Sequence, residues 1–467
     1  MHLIWQGKRS DKKGDERDYE VFAKESERPL LYTKKQRKEH TMKSKELITA
    51  IESGKYTKIF TELYGEANIK KQEERYKGAV LEFEKLFGAD REASLFSVAG
   101  RSEISGNHTD HNCGKVLAAS IDLDIIAVAS PRDDMKINIK SEGFPIDEVD
   151  ITNPTVDESL YYTSKSIISG MCSGFLKHGH KVGGYDAYTT SNVFKGSGLS
   201  SSAAFEDMVG LILNGFYNGG SVDNAQIARI AQYSENVFFG KPSGLMDQTA
   251  CAVGGFVAID FKNPAAPIIE KLPFDLSAAG YNLCIVNTGG NHADLNEDYA
   301  SVPAEMKKIA SYFGKQVLRE VSMEEILKNI KVLRNFAGDR AIMRAIHFKN
   351  ENERVTSQTA ALEKGDLDAF FEGVMASGNS SFKYLQNVYT VKNVHEQGLS
   401  LALCLADNVL SGKRAAWRVH GGGFAGTIQA FVANEDVSAF REALDGAFGE
   451  GATTVLKVRP YGAIRIE

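Results

Sequence analysis

Residues 195–208 read KGSGLSSSAAFEDM. Gly196 and Gly198 let the backbone take positive φ angles and approach a ligand closely. Ser200, Ser201 and Ser202 then open a helix whose first amides point outward without partners, and serine is favoured at a helix N-cap. Those amides and the positive end of the helix dipole form a cradle for an anion, where serine hydroxyls can ligate Mg²⁺. An ordinary capped helix would explain Gly-x-Gly alone. Glycines, three serines and two alanines in this order tilt the reading to phosphate binding. The run is not a Walker A loop, because no lysine followed by Ser or Thr closes it.

Three further segments carry groups suited to chemistry. In SENVFFGKPSGLMDQTACAVGG (234–255), Glu235 lies near the end of a helix that Gly240 and Pro242 terminate. Asp247 sits among Leu245, Met246, Ala250 and Val253, where an acid needs a partner. Two carboxylates across a tight turn suit one metal ligand and one base. For Asp247 alone a helix N-cap is the plainer account, but beside a phosphate loop the balance reverses. In SVAGRSEISGNHTDHNCGKV (97–116), Arg101, Glu103, Asn107, His108, Asp110, His111 and Asn112 crowd a Gly-punctuated loop after a strand. Such density suits a polyhydroxylated ligand, since each sugar hydroxyl both donates and accepts. H-T-D-H lacks the i,i+4 spacing of a zinc helix, so metal ranks below sugar. In RVHGGGFAGTIQAFV (418–432), Gly421, Gly422, Gly423 and Gly426 permit a loop to lie against the nucleotide loop, and a strand follows. A plain glycine-rich turn is the alternative there.

These segments need a scaffold. The chain has 467 residues, too many for one compact core, so two domains are expected. Hydrophobic residues at 43% and charged residues at 25% match a globular protein. The net charge of −6 supplies no basic field for nucleic acid, and no apolar stretch is long enough to span a membrane. The first 20 residues lack the apolar core of a secretory signal, so a cytoplasmic address is expected. Five widely spaced cysteines (113, 172, 251, 284, 404) suit neither a disulfide framework nor a zinc site, and most are expected as small core hydrophobes.

Residues 1–45 are charged, with little apolar periodicity, and read as a flexible extension. Met42 stands just before the first convincing helix, a place from which a shorter chain could start. Helices are predicted over 76–88, 160–178, 200–216 and 223–239, and strands over 94–100, 117–130 and 185–193. Another strand falls at GGFVAIDF, and composition shifts to a linker around Pro264–Pro273. A strand at YNLCIVNT opens the second domain, largely helical over 302–378. Mixed order of this kind means α+β. The expected units are 46–270 and 271–467.

Together the four segments resemble the galactokinase branch of the GHMP small-molecule kinases. A sugar motif, then GLSSSAA, then GLMDQ, then a C-terminal glycine motif follow in that family's order from about Lys45 to the end. The resemblance implies a ribosomal-S5-like N-terminal domain and a ferredoxin-like C-terminal domain, with the site in the cleft between them. It implies ATP and Mg²⁺, a small sugar phosphorylated on its C1 hydroxyl, and a monomer without nucleic-acid or membrane partners. Arg101 matches the arginine that approaches the transferring phosphoryl group, and Asp247 the aspartate that accepts or orients the sugar hydroxyl proton. Ser201 and Glu235 match the Mg²⁺ ligands. Gly196, Ser197, Gly198, Leu199, Ser200, Ser202 and Ala203 fall with Ser201 in the phosphate loop. Asn107, His108, Asp110 and Gly244 match positions that hold the sugar, and Tyr299 the tyrosine that closes over it.

The chain departs from the family pattern at Asn107, where glutamate is usual, at Glu103 for asparagine, and at His111 for tyrosine. HGGGFAG stands for the usual T-G-A-G-F-G-G. Glu103 and Asn107 could exchange roles. The implied reaction is phosphorylation of galactose to galactose 1-phosphate. A 1-kinase for N-acetylgalactosamine or L-arabinose is the alternative that Asn107 keeps open. A catalytically silent sugar sensor is another, opposed by Ser202, Ala203, Arg101, Glu235 and Asp247. A mevalonate- or homoserine-type kinase is opposed by the GNHTDHN loop.

Overall fold

The computed structural model describes residues 41–193, 199–290 and 295–467. Gly196, Ser197 and Gly198 of the glycine-serine run lie outside them, as do residues 1–40 of the expected extension.

The strands are β1 (Met42–Lys43), β2 (Glu92–Ser105), β3 (Lys115–Pro131), β4 (Lys136–Ser141), β5 (Ile146–Asp150), β6 (Tyr185–Ser191), β7 (Phe256–Asp260), β8 (Ile268–Leu272), β9 (Tyr281–Asn287), β10 (Ala416–His420), β11 (Thr427–Ala433), β12 (Thr453–Leu456) and β13 (Ala463–Ile466). One sheet runs β1-β2-β3-β6-β4-β5, with β13 added to β2 and the β7–β8 pair added to β3. A second sheet runs β10-β11-β9-β12. Mixed helices and sheets in this order make the fold α+β, as expected.

β2 and β3 are buried almost throughout, because both faces of their sheet are covered. On one side Tyr56, Phe60, Tyr76 and Phe83, from the segment 44–87, pack on Leu95, Ile126 and Val128. On the other, Met171, Met208 and Phe216 pack on Phe96, Val98 and Ala127. Further along the same strands, Ile104, Leu117 and Ala119 join Leu283, Phe370 and Phe431 of the second sheet and its helices. Apolar packing thus binds the two sheets together beneath the 106–114 loop.

Several boundaries differ from expectation. Residues 42–44 of the expected extension are tied into the fold: Met42 and Lys43 pair with Ala93 and Glu92, and the Ser44 amide donates to the Arg91 carbonyl at 2.9 Å. β8 runs to Leu272 and β13 returns to the first sheet, so sheet membership divides the chain at 273–280 and again before 463. β2 extends to Ser105, five residues beyond the predicted strand. That carries Arg101 and Glu103 onto a strand, where their side chains are fixed by the pleat. The helix predicted over 223–239 is an α-helix only over Asn224–Tyr233 and continues as a π-turn, Ser234–Phe239. Cys172, Cys251 and Cys284 are buried, whereas Cys404 is exposed.

Candidate active site

Arg101 reaches from β2 to helix Met246–Val253, and 146 residues of sequence separate it from its partner. Its Nε donates to Asp247 Oδ1 and its NH2 to Oδ2, both at 2.8 Å, a two-pronged grip. Ser200 adds a third donor, its hydroxyl 2.5 Å from Asp247 Oδ2. Arg101 is 8% exposed, while the Asp247 side chain keeps 36% of its surface. Burial pushes the Asp247 carboxyl up, but the Arg101 charge and hydrogen bonds, with Ser200 and Lys241, outweigh it and hold it below the usual carboxylate range. The group is ionised at neutral pH.

Helix Ser201–Tyr217 begins beside this pair. Its N-cap, Ser200, takes a left-handed backbone (φ 59°, ψ 58°), and no side chain caps the helix. The first amides stay available, as an anion cradle requires. Leu199 anchors the entrance through its carbonyl, which accepts the Arg101 amide at 3.1 Å.

Two cavities meet here. The larger, of about 720 Å³, has a mixed lining, polar at Ser201, Ser202, Glu206, Glu235 and Lys241 and apolar at Phe144, Pro145 and Ile125. The smaller, of about 130 Å³, is lined by Asp110, Ser202, Ala203, Gly244 and Asp247 among others. Ser202, Glu235 and Lys241 line both. Ser201 and Glu235 therefore face one space. The π-turn presents Glu235 there: its Oε1 meets Lys241 Nζ at 2.8 Å, and its Oε2 accepts from Gln248 Nε2 at 2.8 Å. The other bond of that amide, 3.0 Å, goes to Glu206. Burial, then the neighbouring Glu235, pushes the Glu206 carboxyl well up. Lys241, Gln248 and Glu206 were not singled out in sequence. Gln248 stands in the GLMDQ motif and Glu206 in the serine segment, but only the fold shows that both address Glu235.

The residues expected to hold sugar divide. Asp110 and Gly244 line the smaller cavity, and a Cβ at Gly244 would lie 2.9 Å from Asp110 Oδ2, so glycine there leaves room for the carboxylate. Asn107 is placed elsewhere. It is wholly buried, its amide donating to Glu103 Oε1 at 2.8 Å and to the Gly421 carbonyl at 2.6 Å, its Oδ1 accepting from Asn387 at 2.6 Å. No free face is left on it for a sugar hydroxyl. His108 donates from Nε2 to the Gly422 carbonyl at 2.8 Å; burial lowers its pKa to about 4, so the ring is neutral. Tyr299 donates to the Gly423 carbonyl at 2.8 Å and packs edge-on to Phe424. Among the described residues, three consecutive carbonyls of the glycine loop accept from Asn107 and His108 of the sugar-motif loop and from Tyr299 of the helix Asn296–Tyr312. The expected contact of this loop with the nucleotide loop falls on residues 194–198, outside the described residues.

The model of the GHMP kinases N-terminal domain matches residues 166–255, and the galactokinase galactose-binding signature matches residues 81–131. The chain is 31% identical to the galactokinase of Streptomyces coelicolor, over 82% of this chain and 96% of that one. To the galactokinase of Lactobacillus helveticus it is 30% identical, over 76% and 89%. Among solved structures, Lactococcus lactis galactokinase complexed with galactose superposes with a TM-score of 0.67 at 26% identity, covering 82% of this chain and 98% of that one. A mevalonate kinase superposes at 0.55 and 13% identity, which speaks to the fold alone.

Proposed function

The chain belongs to the galactokinase family, and on that premise we propose that it transfers the γ-phosphoryl group of ATP to the anomeric C1 hydroxyl of galactose, giving galactose 1-phosphate. The observation that carries this reading is the Arg101–Asp247–Ser200 cluster. It stands where a small polar hollow opens onto a larger cavity headed by uncapped helix amides.

The larger cavity has the size and the mixed polar and apolar lining that a nucleotide needs. Phosphates belong against the amides of Ser201, Ser202 and Ala203, and the base towards Phe144 and Pro145. The sugar belongs in the hollow of Asp110 and Gly244. Asp247 accepts a hydrogen bond from the C1 hydroxyl and points its oxygen at the phosphorus. Being ionised beside Arg101, it is a weak base, so orientation contributes more than proton abstraction. Arg101, adjoining the same carboxylate, is placed to neutralise charge that builds on the moving phosphoryl group. His108 and Tyr299 act through the glycine loop, closing the second domain over the hollow.

Mg²⁺ fits the donors present. Ser201 and the buried Glu235 are hard oxygen ligands facing one cavity, and Glu235 already meets a cation, the Lys241 ammonium. When bound there, the ion would neutralise phosphate charge. We also read the protein as a monomer, and its free cysteines fit a reducing cytoplasm. No described helix is long and apolar enough to cross a membrane.

Incubation with galactose and MgATP, followed by phosphorus NMR, tests the reaction. A sugar 1-phosphate signal coupled to the anomeric proton is expected. Phosphorylation at another hydroxyl, or none, overturns it.

A further inference from the structure

We propose that Ser200 is a positioning residue for Asp247, and that the left-handed backbone at the helix entrance serves to aim its hydroxyl at that carboxylate rather than at phosphate. The inference rests on the proposed reaction.

Serine at an N-cap ordinarily turns its hydroxyl onto an amide of its own helix. Ser200 does not: its helix has no side-chain cap, and the hydroxyl goes 2.5 Å away to Asp247 Oδ2. A positive φ is uncommon for a residue with a Cβ and carries a conformational cost. Here the strain sits beside the reacting group and has a visible consequence, the direction of one hydroxyl. Both flanks of Ser200 are fixed. The Leu199 carbonyl accepts the Arg101 amide at 3.1 Å, and the Ser200 carbonyl accepts the Ala204 amide at 3.2 Å. Gly100 belongs to the same arrangement, since a Cβ there would meet the Leu199 carbonyl at 3.0 Å.

The acceptor count gives the arrangement its purpose. A carboxylate offers about four lone-pair sites. Arg101 takes one on each oxygen, and Ser200 takes the second on Oδ2. Among the described residues the remaining site is on Oδ1, and a single free acceptor suits a single incoming hydroxyl. Without Ser200, Oδ2 would compete for the same proton and the sugar would have two poses.

Two substitutions separate the hydroxyl from the backbone. Ser200→Gly removes the hydroxyl and adopts the left-handed conformation freely; Ser200→Ala removes it and keeps the strained Cβ. Both are expected to lower kcat about 10- to 100-fold, the effect of one hydrogen bond to a charged group. KM for MgATP should stay within about threefold of the parent, since no phosphate contact is lost. A raised KM for MgATP with unchanged kcat would make Ser200 a phosphate ligand and overturn the proposal. A parent-like Ser200→Gly beside an impaired Ser200→Ala would assign the effect to strain and overturn it as well. Parental protein that phosphorylates no galactose overturns the reaction and this inference together. Parental turnover with indifferent variants overturns this inference alone.

Discussion

The Asn107 amide donates to the Glu103 carboxylate across 2.8 Å, linking the end of β2 to the first turn of the sugar-motif loop. Burial pushes the Glu103 carboxyl up, although Arg418, the Asn107 bond and Arg101 work against it. The two positions at which this chain exchanges the carboxylate and amide of its family pattern are therefore hydrogen-bonded to each other. Asn107→Asp keeps the shape but replaces a donor by an acceptor, facing Glu103 and the Gly421 carbonyl. The expected cost is about 1–3 kcal/mol of stability, read from chemical denaturation. Asn107→Asp as stable as the parent would mean that the network does not hold the loop.

Asp247 stays ionised because Arg101 and its other donors outweigh burial. A carboxylate held below its ordinary value leaves the acid limb of kcat/KM below the usual carboxylate range. Arg101→Gln removes the charge and lets burial dominate, so that limb should move up towards neutrality while activity falls. An acid limb in the same place in parent and variant would detach Arg101 from the ionisation of Asp247.

Gly244 lines the smaller cavity, where the proposed reading seats the sugar. An alanine methyl would sit 2.9 Å from Asp110 Oδ2 and push the carboxylate out of the hollow, with no positive φ to strain the backbone. Gly244→Ala should raise KM for the sugar by about 10-fold and leave the melting temperature near that of the parent. An unchanged KM would remove Asp110 from the sugar site.

Far from the site, Asp124 is wholly buried between Arg75 at 2.6 Å and the fully buried Arg459 at 3.1 Å, with Ser97 and Tyr64 also donating. This cluster ties the helix over 69–87, strand β3 and the segment before β13 together. Burial pushes the Asp124 carboxyl up, but the two arginines and the hydroxyls outweigh it and hold it below the ordinary value. The resulting stability is present above the unfolded carboxylate pKa and is lost as pH falls through the folded value. Asp124→Asn should cost about 3–5 kcal/mol at neutral pH and flatten the acid decline in melting temperature. An unchanged acid decline would place that titration elsewhere.

How far the sequence was legible follows from how local each signal is. The long Ile-, Val- and Ala-rich run at 117–130 announced β3, and the alternation at 185–193 announced β6, since burial on covered faces writes itself into residue type. The β4–β5 hairpin was missed because KINIKS and IDEVD are short and half polar. β2 was cut short at Gly100, where polar residues resemble a loop yet are buried by partners on the second sheet. The same distance effect hides chemistry. Ser200 reads as part of a phosphate loop until the fold brings in Asp247, 47 residues on. HGGGFAG gives no sign in sequence of the residues that its carbonyls meet, more than 300 positions earlier. The π-turn that presents Glu235 has no periodicity of its own to read.

The central claim is that this cleft phosphorylates galactose in preference to related sugars. A coupled ATP-turnover assay with galactose, N-acetylgalactosamine, L-arabinose and glucose side by side tests it most directly. Galactose should lead in kcat/KM by more than about tenfold, or about 1.4 kcal/mol. Another sugar in the lead would contradict the account and move specificity to the Glu103–Asn107 pair. Tight sugar binding without turnover of any of the four would contradict it more deeply, leaving a sensor in place of a kinase.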